Sequence, residues 1–167
     1  STSDTPELFD AIFQKSRAEF RRRWTAPLEA VHDHGVHFQS VTNAAHGYAT
    51  SCRGLLRRLD ERGLRVTYSY LYGPGTPGPH GEPENSGDYY LNVIRDRSHK
   101  RHPEISVVYG LGNLFDRSVG RYKIGYTMLE VDGFPAEWAR QANALDEVWV
   151  PSAFAREAFR RSGGDLS

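Results

Sequence analysis

Residues 36–72 read VHFQSVTNAAHGYATSCRGLLRRLDERGLRVTYSYLY, and this stretch predicts a strand, a loop, a helix and a second strand. Residues 36–41 alternate apolar and polar side chains, as a strand with one buried face does. Residues 50–62 place their leucines on one helical face, and Gly63 follows as a residue typical of helix ends. Residues 64–72 are rich in Val, Thr and Tyr, which favours a strand. A strand–loop–helix–strand unit of this kind builds parallel sheets.

The other elements of the predicted sheet lie downstream. Strands are predicted at 105–109, 122–129 and 147–150, helices at 135–145 and 151–161, and a short strand or helix at 89–94. Together they predict an α/β fold with a single Rossmann-like open parallel sheet and flanking helices. By analogy with doubly wound sheets we expect the strand order 3-2-1-4-5, in which the first and fourth strands are neighbours where the winding reverses. Ligands of such sheets bind beyond the carboxyl ends of the strands at that point.

Two segments lie outside this pattern. We assign residues 1–35 to an N-terminal helical extension and residues 36–167 to the main domain, which contains a Gly- and Pro-rich loop at 73–88. We expect this loop to be mobile, because its composition cannot form a core element. Residues 5–31 predict an extra N-terminal helix that is basic and amphipathic. Such a helix can contact a membrane surface peripherally, or pack against the domain or an oligomeric partner, and the sequence leaves both open.

Composition excludes several classes of protein. The chain carries 21 Lys and Arg against 21 Asp and Glu, and this neutral balance argues against nucleic acid as a partner. No apolar run approaches the ~20 residues that span a bilayer, and no signal peptide is visible, so we expect a cytoplasmic protein. The single cysteine, Cys52, excludes an internal disulfide and is expected to serve packing. Because the spacing of His32, His34 and His37 does not match a zinc site, we expect a polar surface junction there and no metal.

The loop between the first strand and the first helix is one candidate ligand site. Its small residues let a ligand approach the main chain, and the following helix offers N–H groups to an anion. We single out His46, Gly47 and Tyr48, with a tight strand-to-helix turn as the structural alternative. The dinucleotide fingerprint G-x-G-x-x-G is absent, no carboxylate ends the second strand, and no Gly-Lys-Ser/Thr follows the loop. NAD binding and P-loop nucleotide binding are therefore disfavoured.

Two carboxylates that follow the fourth predicted strand form a second candidate site. Glu130 and Asp132 come directly after an apolar run, and carboxylates in such a place can accept hydrogen bonds from sugar hydroxyls or act as bases. In the structural alternative, Asp132 caps the next helix and Glu130 pairs with an arginine. With the expected strand order, these carboxylates and the loop at 42–48 would meet in one crevice.

Residues 121–163 resemble the N-terminal domain of GT-B glycosyltransferases of the large retaining family called glycosyl transferases group 1. The resemblance rests on IGYTMLE at 124–130 and on DEVWVPS at 146–152, which is its most specific part, followed by a helix with Phe154 and Phe159. From residue 36 onward the resemblance is looser. It implies one half of a GT-B fold, which binds the acceptor, while a C-terminal donor-binding domain or subunit holds the nucleotide-sugar. No other cofactor is implied.

The resemblance also implies roles for individual residues. Gly47 and Tyr48 would lie near the donor phosphates, Glu130 would border the reacting sugar, and Ser152 would lie near the interdomain crevice. His46 departs from the small residues of the family, as an acceptor contact or a plain surface histidine. Because the chain stops at Ser167, before a donor-binding half, we expect no turnover by this chain alone. The alternatives are a non-catalytic GT-B-like module that binds a glycan or a protein, or a subunit of a split glycosyltransferase.

Overall fold

The computed structural model describes residue 19 and residues 35–44, 46–73, 76, 82, 88–97, 103–128 and 131–163. Contacts divide the chain into two units, Ser1–His34 and Gly35–Ser167. The predicted N-terminal helix apart from Glu19, the residue Glu130 and most of the loop at 73–88 lie outside the described residues. Of the helices that the structure describes, none has the length and apolar character needed to cross a membrane.

The second unit alternates strands and helices. Its strands are β1 (Gly35–Ser40), β2 (Arg65–Tyr70), β3 (Ile105–Tyr109), β4 (Tyr122–Tyr126) and β5 (Glu147–Trp149). Its helices are α1 (Gly47–Glu61), α2 (Tyr89–Asp96), a 3₁₀ helix (Gly112–Arg117), α3 (Ala136–Ala142) and α4 (Ala153–Arg161). Every predicted strand is confirmed to within three residues at its ends. The 3₁₀ helix is the element that the sequence patterns did not predict.

The strands form one parallel sheet in the order β2-β1-β3-β4-β5. This sheet with its flanking helices confirms the predicted Rossmann-like α/β fold, but the predicted order 3-2-1-4-5 is wrong. β3 lies between β1 and β4, so the first and fourth strands are not neighbours. The physical reason is that β3 is buried on both faces from Ser106 to Tyr109, which demands a central position rather than the edge.

One face of the sheet packs against α1 and α2. Alternate side chains of the first four strands form this core with residues of the two helices, namely Phe38, Val66, Tyr68, Val107, Tyr109 and Ile124 with Cys52, Leu56, Leu91 and Ile94. Each large apolar side chain buried in this way contributes ~1.5–3 kcal/mol. The helix α1 ends as predicted before Gly63, whose φ of +86° suits glycine. The core therefore fixes α1, and with it the loop that precedes α1, over the end of β1.

The opposite face packs against the 3₁₀ helix, α3 and α4. Its core consists of Leu71, Val108, Leu114, Phe115, Phe134, Ala142, Ala158 and Phe159. Gly125 of β4 makes room for this core, because a Cβ there would lie 2.5 Å from Leu145 Cδ1 and 2.8 Å from Phe115 Cζ. The close packing of Leu145 and Phe115 therefore explains why this position of the IGYTMLE motif holds a glycine.

We predict that Gly125→Ala lowers the free energy of unfolding by ~1–3 kcal/mol, because the added methyl overpacks a filled core. The matched control is Gly54→Ala on the exposed side of α1, where a Cβ meets no atom within 4 Å. That substitution should raise stability by ~1 kcal/mol, since alanine favours a helix interior over glycine. Urea denaturation of both variants measures the difference. Equal stability changes in the two variants would contradict the packing argument.

Candidate ligand site

The winding of the sheet reverses between β1 and β3. The connection from β1 leads to β2 on one side, and the connection from β3 leads to β4 on the other. Because the two connections diverge, a crevice opens beyond the carboxyl ends of these two strands, where ligands of open α/β sheets bind. The candidate site therefore lies one strand away from the position that the predicted strand order gave.

A cavity of about 220 Å³ occupies this crevice. We call it the strand-end cavity, and it is lined by Val41, His46, Tyr48, Leu71, Tyr72, Tyr109, Gly110 and Leu111. These lining residues, which all belong to the described part of the chain, follow β1, β2 and β3, and none of them is Lys, Arg, Asp or Glu. Pockets for drug-sized ligands measure about 300–1,000 Å³, so this smaller cavity suits a ligand about as large as one sugar ring.

His46 is the N-cap residue of α1. Its Nδ1 accepts a hydrogen bond from the N–H of Ala49 at 3.3 Å, which satisfies one of the amides at the start of the helix. A neutral ring that accepts at Nδ1 carries its proton on Nε2. His46 is exposed and lines the strand-end cavity, so it offers a hydrogen-bond donor there. His46 is therefore both the cap of α1 and a residue of the cavity wall.

Tyr48 connects the loop after β1 to the chain that leaves β4. Its hydroxyl accepts a hydrogen bond from the N–H of Met128 at 2.9 Å and donates to the carbonyl of Met128 at 3.1 Å. The same oxygen lies 3.1 Å from the hydroxyl oxygen of Thr127, which is fully buried. Although β3 separates β1 from β4, the phenol thus holds the end of β4 beside the β1 loop. This contact joins the loop to Met128; it does not test the predicted meeting of the loop with Glu130 and Asp132.

A row of aromatic rings extends from Tyr48 across the sheet. Tyr48 lies 5.5 Å from Tyr109, and Tyr109 stacks on Tyr126 with ring centres 4.3 Å apart and planes 7° from parallel. Burial raises the pKa of Tyr109 to about 12, and burial also raises the pKa of Tyr72. These two phenols of the cavity wall are therefore uncharged at physiological pH. The hydroxyl of Tyr109 donates to Sδ of Met128 at 3.2 Å.

Glu82 brings a buried carboxylate to the end of β1. Its Oε1 accepts hydrogen bonds from the N–H and hydroxyl of Thr42 and from the N–H of Asn43, the last two at 2.9 Å. Its Oε2 lies 2.8 Å from the hydroxyl oxygen of Tyr68 and 3.7 Å from a guanidinium nitrogen of Arg95. The carboxylate side chain is only 1% exposed. Donors therefore surround both of its oxygens.

Three residues predicted from the sequence lie outside the cavity wall. Asp132 is exposed between β4 and α3, and it does not cap α3, whose N-cap is Pro135. Ser152 caps α4 and accepts a hydrogen bond from the N–H of Ala155 at 3.1 Å. Gly47 begins α1, and a Cβ there would meet no protein atom within 4 Å. Glu130 lies outside the described residues.

Cys52 and the histidines have structural explanations. Cys52 is fully buried in the core under α1, and burial raises the pKa of its thiol to about 12, so it packs as predicted. His37 is 1% exposed, and its ring nitrogens lie 3.0 Å from the hydroxyl oxygens of Thr67 and Ser69. The expectation that it belongs to a polar surface is therefore wrong. Within the described part of the chain, no cluster of His, Cys, Asp and Glu could hold a metal ion.

Several site residues were missed in the sequence. Tyr72, Gly110 and Leu111 line the cavity because they directly follow β2 and β3. The signal for them is position, since residues just beyond the carboxyl ends of parallel strands share one edge. Glu82 lacked such a signal, because it stands in a segment without periodicity.

Comparison of the chain with models of protein families, with characterised proteins and with solved structures gave no match.

We predict that Tyr48→Phe lowers the free energy of unfolding by ~1–3 kcal/mol, because it leaves the N–H and carbonyl of Met128 without their partner. Hydrogen exchange of the Met128 amide should accelerate at the same time. The control is Tyr126→Phe, because Tyr126 stacks on Tyr109 and its hydroxyl makes no hydrogen bond to another described residue. That variant should change stability by less than ~0.5 kcal/mol. If hydrogen exchange of the Met128 amide is unchanged in Tyr48→Phe, the Tyr48 hydroxyl does not hold the chain after β4.

Proposed function

We propose that this chain is the acceptor-binding half of a glycosyltransferase. With a donor-binding domain or subunit, it transfers a sugar from a nucleotide-sugar to an acceptor such as a glycan, a lipid, a protein or a small molecule. The observation that carries the proposal is the strand-end cavity, whose wall combines tyrosine rings with apolar side chains and, among the residues that the structure describes, contains no Lys, Arg, Asp or Glu.

The chemistry of the cavity wall suits a saccharide. One face of a sugar ring presents C–H groups, which pack on aromatic rings such as those of Tyr48 and Tyr72. The edges of a sugar ring carry hydroxyls, which can exchange hydrogen bonds with the phenol of Tyr72, with the Nε2–H of His46 and with the main chain at Gly110. A few polar groups in a mostly apolar wall fix the orientation of such a ligand.

The segment that resembles the glycosyltransferase family lends further support. Residues 121–163 contain β4, α3, β5 and α4 in that order. Phe134, Ala158 and Phe159 of this segment belong to the core on one face of the sheet, and Ile124 belongs to the core on the other. The motif DEVWVPS spans β5 and the start of α4, where Ser152 is the helix cap. The sequence likeness thus lies in a part of the chain that forms sheet and covering helices.

Within the proposal, Glu130 borders the acceptor or the reacting sugar. In an enzyme assembled from this chain and its donor-binding half, Glu130→Gln should lower turnover at least tenfold, because charge stabilisation and proton transfer by such groups contribute ~10²–10⁴. Asp132→Asn, assayed beside it, tests the second carboxylate. Unchanged turnover in Glu130→Gln would remove Glu130 from the site. Glycoside binding without turnover in any pairing would favour the non-catalytic binding module.

The binding half of the proposal is testable on this chain. Methyl glycosides of glucose, mannose, galactose and N-acetylglucosamine are titrated in saturation-transfer NMR experiments, and we expect binding of at least one. Leu111→Trp should lower that affinity at least tenfold, or ~1.4 kcal/mol, because the indole fills the cavity that Leu111 lines.

The matched control is Val119→Trp. Val119 is exposed to 40%, close to the 36% of Leu111, but it does not line the cavity. This variant should bind the glycoside like the unmodified chain. Equal affinities of both tryptophan variants would place binding elsewhere, and no binding of any glycoside by the unmodified chain would count against the acceptor site.

A further inference from the structure

We propose that Glu82 closes the main-chain anion site at the end of β1 to phosphate groups, so that the cavity beside it selects an uncharged ligand. We call the amides of Thr42 and Asn43, with the hydroxyl of Thr42, the strand-end anion site. The inference rests on the proposed function in one respect: it identifies the ligand of the strand-end cavity as a neutral saccharide and not as the diphosphate of the donor.

The strand-end anion site has the chemistry that phosphate groups use in α/β folds. Successive main-chain N–H groups after a strand form a concave site for an anion, and the start of the next helix adds a favourable dipole. Here the two successive amides of Thr42 and Asn43 converge on one oxygen of Glu82. The site is therefore filled by a carboxylate of the same chain.

The contacts of Glu82 make it a stable occupant. Its second oxygen has the hydroxyl of Tyr68 at 2.8 Å and the guanidinium of Arg95 at 3.7 Å, and 1% of the side chain is exposed. The Tyr68 hydroxyl lies at the same distance, 2.8 Å, from the carbonyl oxygen of Ser40, which ties the arrangement to β1 itself. Burial raises the pKa of Tyr68, and the neighbouring Glu82 raises it further. A phosphate that displaced Glu82 would separate a buried carboxylate from these donors, which is costly.

The contacts of the arginines at this edge of the sheet also argue against diphosphate binding in the cavity. Arg53 donates to the carbonyl of Thr42, and Arg117 donates to the carbonyl of Leu71 at 3.3 Å. Arg95 lies beside the Glu82 carboxylate, and no Lys or Arg is among the described residues that line the cavity. A diphosphate in the cavity would therefore meet uncharged phenols in the described wall, and Glu82 fills the neighbouring amides of Thr42 and Asn43. A neutral saccharide requires neither a cation nor a vacant amide site.

This geometry revises a role expected from the family resemblance. Gly47 and Tyr48 were expected near the donor phosphates. The N–H groups of the loop that do hold an anion belong to Thr42 and Asn43, and their anion is internal. The hydroxyl of Tyr48 is bonded to Met128. We therefore assign the loop to the acceptor side of the reaction.

The test is a titration with inorganic pyrophosphate, followed by the amide resonances of Thr42 and Asn43. In the unmodified chain these resonances should not respond, and pyrophosphate should not displace a bound methyl glycoside. In Glu82→Ala the site is vacated, and pyrophosphate should bind at least tenfold more tightly, with shifts of both amides. Glu82→Gln keeps the shape and removes the charge, so the site should stay closed.

The matched control for net charge is Glu61→Ala, which removes an exposed carboxylate paired with Arg58. This variant should gain no pyrophosphate binding, because its carboxylate does not occupy amides. If Glu82→Ala does not fold, the titration of the unmodified chain still tests the proposal. A response of its Thr42 and Asn43 amides to pyrophosphate would overturn the proposal, and so would displacement of the bound glycoside by pyrophosphate. Equal pyrophosphate affinity of the unmodified chain and Glu82→Ala also overturns it.

The outcomes separate this inference from the proposed function. A gain of pyrophosphate binding in Glu82→Ala without glycoside binding by the unmodified chain supports the closure by Glu82 and contradicts the acceptor site. Glycoside binding together with pyrophosphate binding at Thr42 and Asn43 in the unmodified chain supports the acceptor site and contradicts the closure.

Discussion

The hydroxyl of Tyr48 holds together the edge of the sheet at which the candidate site lies. It forms hydrogen bonds with the N–H and the carbonyl of Met128, at 2.9 and 3.1 Å. The chain beyond β4 is thus held by a side chain after the hydrogen bonds between strands have ended. Because β3 stands between β1 and β4, a smaller side chain in the β1 loop could not reach that far. The contact therefore joins the start of α1, which lines the cavity, to Met128 beyond the end of β4.

Charged and uncharged side chains occupy different places at this edge of the sheet. The carboxylate of Glu82 and the guanidiniums of Arg53 and Arg95 are engaged with the loop and with one another, where they fix its main chain. The cavity next to them is bounded by apolar side chains and by phenols, and burial raises the pKa of Tyr72 and of Tyr109. Such a wall recognises shape and hydroxyl groups. The proposal of an acceptor site that excludes donor phosphates rests on that division.

Local patterns were enough to predict every strand and the loop before α1, because alternation and glycine positions are properties of neighbouring residues. Strand order depends on contacts between distant segments. The apolar run ISVVY nevertheless indicated that β3 is buried on both faces. The loop was predicted to meet an anion. No pattern could show that this anion is Glu82, or that Tyr48 reaches Met128 across a strand.

The most direct measurement of the central claim is a map of amide chemical-shift changes when a methyl glycoside is added to this chain. If the glycoside binds in the strand-end cavity, the shifts should cluster at Val41, Gly110 and Leu111, which line that cavity. The amides of Thr42 and Asn43 should respond weakly, because Glu82 keeps them engaged. Shifts confined to β5 and α4, or no shifts at all, would contradict the account.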